Sequence, residues 1–159
     1  MRIDPGYCTS SYLMYRAIVN EEYLFSENIP TWYWKEMPTR TPVCSTEELD
    51  THLRKNVQSA LENGPVALML SSGMDSAILA RYLPKGTQTY TLRCRANSGI
   101  DETDAARFYA EQNHLKHSVV DVYWEDFEKY TIPLMRQKGY PIHSIEIQIY
   151  KASLQAKAD

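Results

Sequence analysis

No stretch of this 159-residue chain approaches the roughly 20 consecutive apolar residues that span a bilayer. The opening residues Met1-Arg2-Ile3-Asp4-Pro5 have no apolar run behind their charge, so no secretory signal is expected. Cysteine is scarce: Cys8, Cys44 and Cys94 lie far apart, and no pair has metal-ligand or redox spacing. An odd, scattered set fits idle thiols in a reducing compartment, and the expected location is the cytoplasm. A basic excess is also missing, since 17 Lys and Arg stand against 20 Asp and Glu, a net charge of −3. A protein built to grip a nucleic-acid backbone shows the opposite balance, so nucleic acid is not the expected partner. A nucleotide is not excluded, because its phosphates need only a few local donors. There is no internal repeat and no low-complexity tract. What remains, 43% hydrophobic and 23% charged, reads as one ordinary globular domain.

The pattern along the chain is informative. Residues 1 to 44 form an aromatic-rich N-terminal extension and linker. In it Tyr12, Leu13, Tyr15, Ile18 and Val19 suit one face of a short helix, and Thr31-Trp32-Tyr33-Trp34 is dense in rings that call for packing. Pro38-Thr39-Arg40-Thr41-Pro42 reads as a connector, because prolines block regular hydrogen bonding. A helix follows: Ser45 and Glu48 have capping-box spacing, Leu49, Leu53, Val57, Ala60 and Leu61 share a face, and Gly64-Pro65 ends it. Val66 to Leu70 is a short apolar run, as expected of a strand buried on both faces. Helix is expected over Ala77–Leu83, Asp101 to about His114, Trp124 to about Gln137 and Ile145–Asp159. Strand is expected over Thr89–Leu92 and Ser118–Val122. Alternation of strand and helix predicts an α/β fold, a parallel sheet with helices on both faces, over residues 45–159. A βα unit that stops on a helix looks incomplete at the C-terminus.

Between the first buried strand and its helix lies Ser71-Ser72-Gly73-Met74-Asp75-Ser76. Here a strand delivers the chain to a tight turn, and a helix is expected to start at about Ser76. Small residues let an anion approach the backbone, the helix start offers N–H groups, and the hydroxyls of Ser71, Ser72 and Ser76 add donors. Asp75 would repel phosphate unless a cation sits between them, and Mg²⁺ suits one carboxylate plus phosphate oxygens. The same residues also suit a plain helix cap formed by Asp75 and Ser76. The loop has neither the Gly-Lys-Ser/Thr ending of a Walker A loop nor a spaced glycine triplet.

Leu70-Ser71-Ser72-Gly73-Met74-Asp75-Ser76 resembles the Ser-Gly-Gly-x-Asp-Ser pyrophosphate loop of N-type ATP pyrophosphatases. Within these, it resembles the synthetase domains of asparagine synthetases and β-lactam synthetases. The capped helix leading into Gly64-Pro65-Val66, the strand Thr89-Tyr90-Thr91-Leu92 and the run Asp101-Glu102, Ala106-Arg107, Ala110, Leu115-Lys116-His117 are similar to the same family's lead-in, second strand and second helix. The resemblance covers about residues 45–159. It implies a Rossmann-like fold of the adenine nucleotide α-hydrolase type, and a loop in which Ser71, Ser72, Gly73, Asp75 and Ser76 hold ATP phosphates. Asp75 would contact Mg²⁺, with Leu70 and Leu92 beside the adenine. The implied reaction is carboxylate activation as an acyl-adenylate with release of pyrophosphate, followed by attack of an amine or ammonia to form an amide, with AMP released.

The sequence departs from the family in several places. Ser72 stands where relatives have glycine, and Arg93 and Arg95 follow the second strand where many have small or apolar residues. These arginines suit either an anionic ligand or ordinary surface charge. No glutamine-hydrolysing domain precedes the loop, so nitrogen would come from ammonia or a separate glutaminase partner. The family's second acidic loop, with its catalytic groups, is expected beyond Asp159, so the chain reads as a fragment or a truncated product of a longer synthetase, one that can be inactive in isolation; a homo-oligomer or a separate glutaminase is the expected protein partner. Two other readings compete. One is a tRNA-modifying enzyme of the same loop superfamily, disfavoured by 65-odd residues ahead of the loop and by the absence of a cysteine pair. The other is a degenerate nucleotide-binding module. His114 and His117 lack a carboxylate or cysteine cluster that would complete a metal site. Glu146, near His143, suits a substrate pocket or a helix start equally, and Lys151 and Lys157 read as a wet helix face.

Overall fold

The computed structural model describes residues 1–27, 42–95, 101–139 and 141–159. The rings at 31–34 and most of the proline connector lie outside the described residues. The chain divides into two compact units, Met1–Arg40 with Glu125–Ile147 and Thr41–Trp124 with Gln148–Asp159.

In the first unit, β1 (Arg2–Ile3) pairs in parallel with β2 (Tyr23–Leu24), and α1 (Pro5–Tyr15) lies between them in sequence. Asp4 caps α1 by accepting from the Tyr7 N–H, and Pro5 occupies the first turn, where its missing N–H costs nothing. The helix ends at Arg16, which is left-handed at φ 59°. Ile18 and Val19 therefore fall beyond it. The expected apolar face is replaced by one formed from Cys8, Ser11 and Tyr12, with Ile18 folding back onto Cys8 and Tyr12 while Leu13, Tyr15 and Val19 stay exposed. This unit also contains most of α5 (Trp124–Lys138), which carries Pro133 inside it, and the start of α6 (Ser144–Ala158). At that start Glu146 accepts from the His143 N–H at 2.9 Å and pairs with Lys138.

The second unit holds a three-stranded parallel sheet in the order β3 (Ala67–Met69), β4 (Gln88–Cys94), β5 (Lys116–Val122). Strands in sequential order with crossovers of one hand bring their connecting helices onto one face. Accordingly α3 (Met74–Ala80) and α4 (Thr103–Gln112) share a core of Leu70, Ala80, Ala106, Ala110 and Leu115. The opposite face is covered by the later part of α6, whose Ala152 packs with Tyr90 and Val120. Helices on both faces of a parallel sheet are the expected α/β architecture. Leading into it, α2 (Thr46–Glu62) is capped by Ser45, which accepts from the Glu48 N–H at 3.1 Å. Glu48 in turn accepts from the Cys44 N–H.

In this unit two further expectations shift. β3 is an edge strand among the described residues. Ala67 is exposed and only Leu70, just past its end, is fully buried, so the apolar run is not covered on both faces. The helix after the loop begins at Met74 with Gly73 as its N-cap, not at about Ser76, and it ends at Ala80.

Candidate ATP-loop site

The loop sits at the carboxyl end of β3, where open parallel sheets build their ligand crevices. Two bonds hold its base. The Leu70 N–H donates to the Tyr90 carbonyl at 2.8 Å, and the Leu70 carbonyl accepts from the Thr91 hydroxyl at 2.7 Å. The Leu70 side chain is buried against α4, so the sheet fixes where the loop begins.

Ser71 and Ser76 close the loop on itself. The Ser71 N–H donates to Ser76 Oγ at 3.1 Å, and the two hydroxyls lie 3.0 Å apart. The Gly73 N–H donates to Ser71 Oγ at 3.1 Å, and Ser76 Oγ also reaches the Ser71 and Gly73 carbonyls. A Cβ at position 73 would stand 3.2 Å from Ser71 Oγ, so the serine hydroxyl would have to give by a few tenths of an ångström. As N-cap, Gly73 supplies no side-chain acceptor to the first turn of α3. The turn therefore keeps N–H groups directed at the loop mouth. Asp75 is exposed within that turn. A serine pair, first-turn N–H groups and an exposed carboxylate fit a metal-bound polyphosphate: the N–H and O–H groups could take phosphate oxygens, and Asp75 could supply an oxygen ligand to Mg²⁺.

One contact was not legible in the sequence. The Ser72 N–H donates to Glu102 Oε2 at 3.3 Å, across 30 residues. Glu102 is the N-cap of α4, yet its side chain makes no cap bond to its own helix. The neighbouring Asp101 does that work instead, accepting from the Thr103 N–H at 2.9 Å and from the Thr103 hydroxyl. Spacing alone could not separate the roles of two adjacent acids, which point to different partners.

Leu92 is half-buried on the α6 face of β4. Arg93 and Arg95 both grip Asp121 on β5: Arg93 Nε lies 2.6 Å and Arg95 Nε 2.8 Å from Asp121 Oδ1, with a second bond from each at 3.1 Å. The two guanidinium groups pull the Asp121 carboxyl down to about 2. Bonds from Thr103 lower the Asp101 carboxyl, and the same arginines add to this. The arginines are thus paired with acids, and their first role is to pin the ends of β4 and β5. His117 sits on β5 with Nε2 2.8 Å from Thr91 Oγ1, and burial lowers its pKa. His114 ends α4 in a left-handed turn at φ 56°. Among the described residues no group of His, Cys, Asp and Glu is arranged to hold a metal by itself, and no helix is long and apolar enough to cross a membrane.

No curated protein and no solved structure matched the chain. The family model described as asparagine synthase matches residues 48–159, which include most of α2, the loop, the whole parallel sheet and α6. With that match over most of its length, the chain belongs to the asparagine synthase family, a family of ATP-dependent ligases.

Proposed function

We propose that this chain binds Mg²⁺-ATP in the Ser71–Ser76 loop and activates a small carboxylate as an acyl-adenylate, to which an amine or ammonia then adds. The observation that carries the reading is the serine-closed loop with exposed Asp75 at the carboxyl end of β3, in a chain of this family. Ser71, Ser72, Gly73 and Ser76 take the phosphate oxygens, and Asp75 is the magnesium ligand. Leu70 and Leu92 border the adenine. The second lone pair of the Leu70 carbonyl remains for it, since Thr91 takes only one. Bound magnesium supplies charge neutralisation at the leaving pyrophosphate. The chain's own part is positioning: the Leu70 anchor and the Ser71–Ser76 clasp hold the donors in place before the ligand arrives.

The test is ATP–pyrophosphate exchange by the protein with a panel of carboxylic acids. Acid-stimulated exchange is expected, and Asp75→Ala should lower it at least about tenfold, the effect of losing a group that stabilises developing charge. Absence of exchange with every acid overturns the ligase reading. Equal exchange by the Asp75 variant overturns the metal role.

A further inference from the structure

We propose that Glu102 makes the loop discriminate against metal-free polyphosphate, by holding its carboxylate on a backbone donor that a phosphate oxygen would otherwise take. This inference rests on the ATP-loop reading above. A carboxylate oxygen and a phosphate oxygen are equivalent acceptors for a backbone N–H, and Glu102 Oε2 already has the Ser72 N–H at 3.3 Å. Local structure does not account for a glutamate there, because α4 takes only the backbone carbonyl of Glu102, from the Ala106 N–H, and no cap bond from its side chain.

Its placement is firm rather than incidental. Asp101 ties down the turn through Thr103, which is buried, and Arg93 and Arg95 attract Asp101 from β4. Ala106 and Ala110, fully buried against Leu70 and Leu115, hold the helix behind it. Glu102 is therefore delivered to the loop by the same core that supports the loop. A bare polyphosphate must displace the carboxylate from Ser72 and then lie beside its charge, and beside Asp75, in one small crevice. A divalent cation between them removes that repulsion, so a metal-bound polyphosphate pays far less to enter. The donor under competition is a main-chain group, the Ser72 N–H, which a side-chain change at 72 does not delete.

The probe is inorganic pyrophosphate, titrated calorimetrically into the whole chain with EDTA and again with excess Mg²⁺. Glu102→Ala is expected to tighten metal-free binding about tenfold and to change the Mg²⁺-supported affinity much less, the size expected for removing one close like charge. Glu111→Ala, which deletes the same charge from the far end of α4, is the control and should change neither. In ¹⁵N spectra without ligand, the Ser72 amide of the Glu102 variant should shift while the core signals stay. Should the alanine variant lose its fold by circular dichroism, Glu102→Gln carries the same test, with a smaller expected gain. Metal-free binding by the variant alone, with Mg²⁺-supported binding by both proteins, supports the inference. If the wild type binds with Mg²⁺ and the variant keeps the same metal dependence, or binds metal-free pyrophosphate more weakly, Glu102 is not the discriminator, although the loop still holds phosphate. If neither protein binds under either condition, both this inference and the ATP-loop reading are overturned.

Discussion

Thr91 has one hydroxyl proton and two neighbours that compete for it. Its Oγ1 lies 2.7 Å from the Leu70 carbonyl and 2.8 Å from His117 Nε2. A carbonyl can only accept, so the proton goes to Leu70 and His117 must donate from Nε2. Burial lowers the pKa of His117, which favours the neutral imidazole. His117 is therefore expected as the Nε2–H tautomer, readable from long-range ¹H–¹⁵N couplings. The other tautomer would remove the basis of the assignment. Thr91→Val keeps the shape but leaves a part-buried His117 N–H unmatched and takes a donor from Leu70, at an expected cost of about 1–3 kcal/mol in chemical denaturation. Little of this was legible in the sequence. The Ser, Gly and Asp types at 71–76 suit an anion loop and also a plain helix cap, and it is the neighbouring strand and second-helix run that favour the loop. The Thr91–His117 and Ser72–Glu102 contacts, though, join residues 26 and 30 apart, and only strand register and helix packing bring those together.

Whole elements were more legible where the signal was local. The Ser45 cap, the Gly64 stop at φ 141° and the α/β alternation depend on neighbouring residues and appear where spacing puts them. The start of α3 was displaced because serine is a strong cap former, yet here Ser76 turns its hydroxyl back to Ser71 and Gly73, and glycine begins the helix. The burial of β3 was overestimated because an apolar run does not say whether a strand lies inside a sheet or at its edge. Sequence does mark the alanine stripe of α4. Ala106 and Ala110 are fully buried because only a small side chain lets the helix approach Leu70. Ala110→Leu should destabilise the fold by about 1–3 kcal/mol through overpacking, since leucine and alanine form helix almost equally well. Ala105→Leu, on the exposed side of the same helix, should leave the urea midpoint unchanged. Equal effects at the two positions would mean that helix propensity, not packing, governs.

At the scale of the molecule, the sheet unit carries a titrating clamp near each limit of its pH range, and their signs are opposite. Asp121, held between Arg93 and Arg95, has its carboxyl lowered to about 2 in the folded chain. A carboxyl lowered by folding stabilises above its unfolded pKa of about 4, and that contribution is lost as pH falls toward 2. Tyr90 is the reverse case: burial, and then its 2.7 Å bond to Asp159, raise the phenol to about 12. A group raised by folding contributes fully below about pH 10, and its contribution is lost as pH climbs through 12. Stability should therefore be nearly flat between about pH 5 and pH 9 as far as these two groups are concerned, and should fall on both sides. Asp121 is partly open to solvent, with 28% of its side chain exposed, so screening reduces its share of the acid limb to about 1–2 kcal/mol. Asp121→Asn separates this linkage from general acid unfolding. It leaves two arginines facing a neutral amide, so the plateau should drop, but the slope between pH 4 and pH 2 should flatten because no proton is then taken up at residue 121. Tyr90→Phe should flatten the alkaline limb in the same way and lower the plateau by about 1 kcal/mol for the lost hydrogen bond. Urea midpoints measured across pH for the three proteins provide the comparison. An acid slope that survives unchanged in Asp121→Asn would move the linkage to other carboxylates and refute the clamp at the ends of β4 and β5.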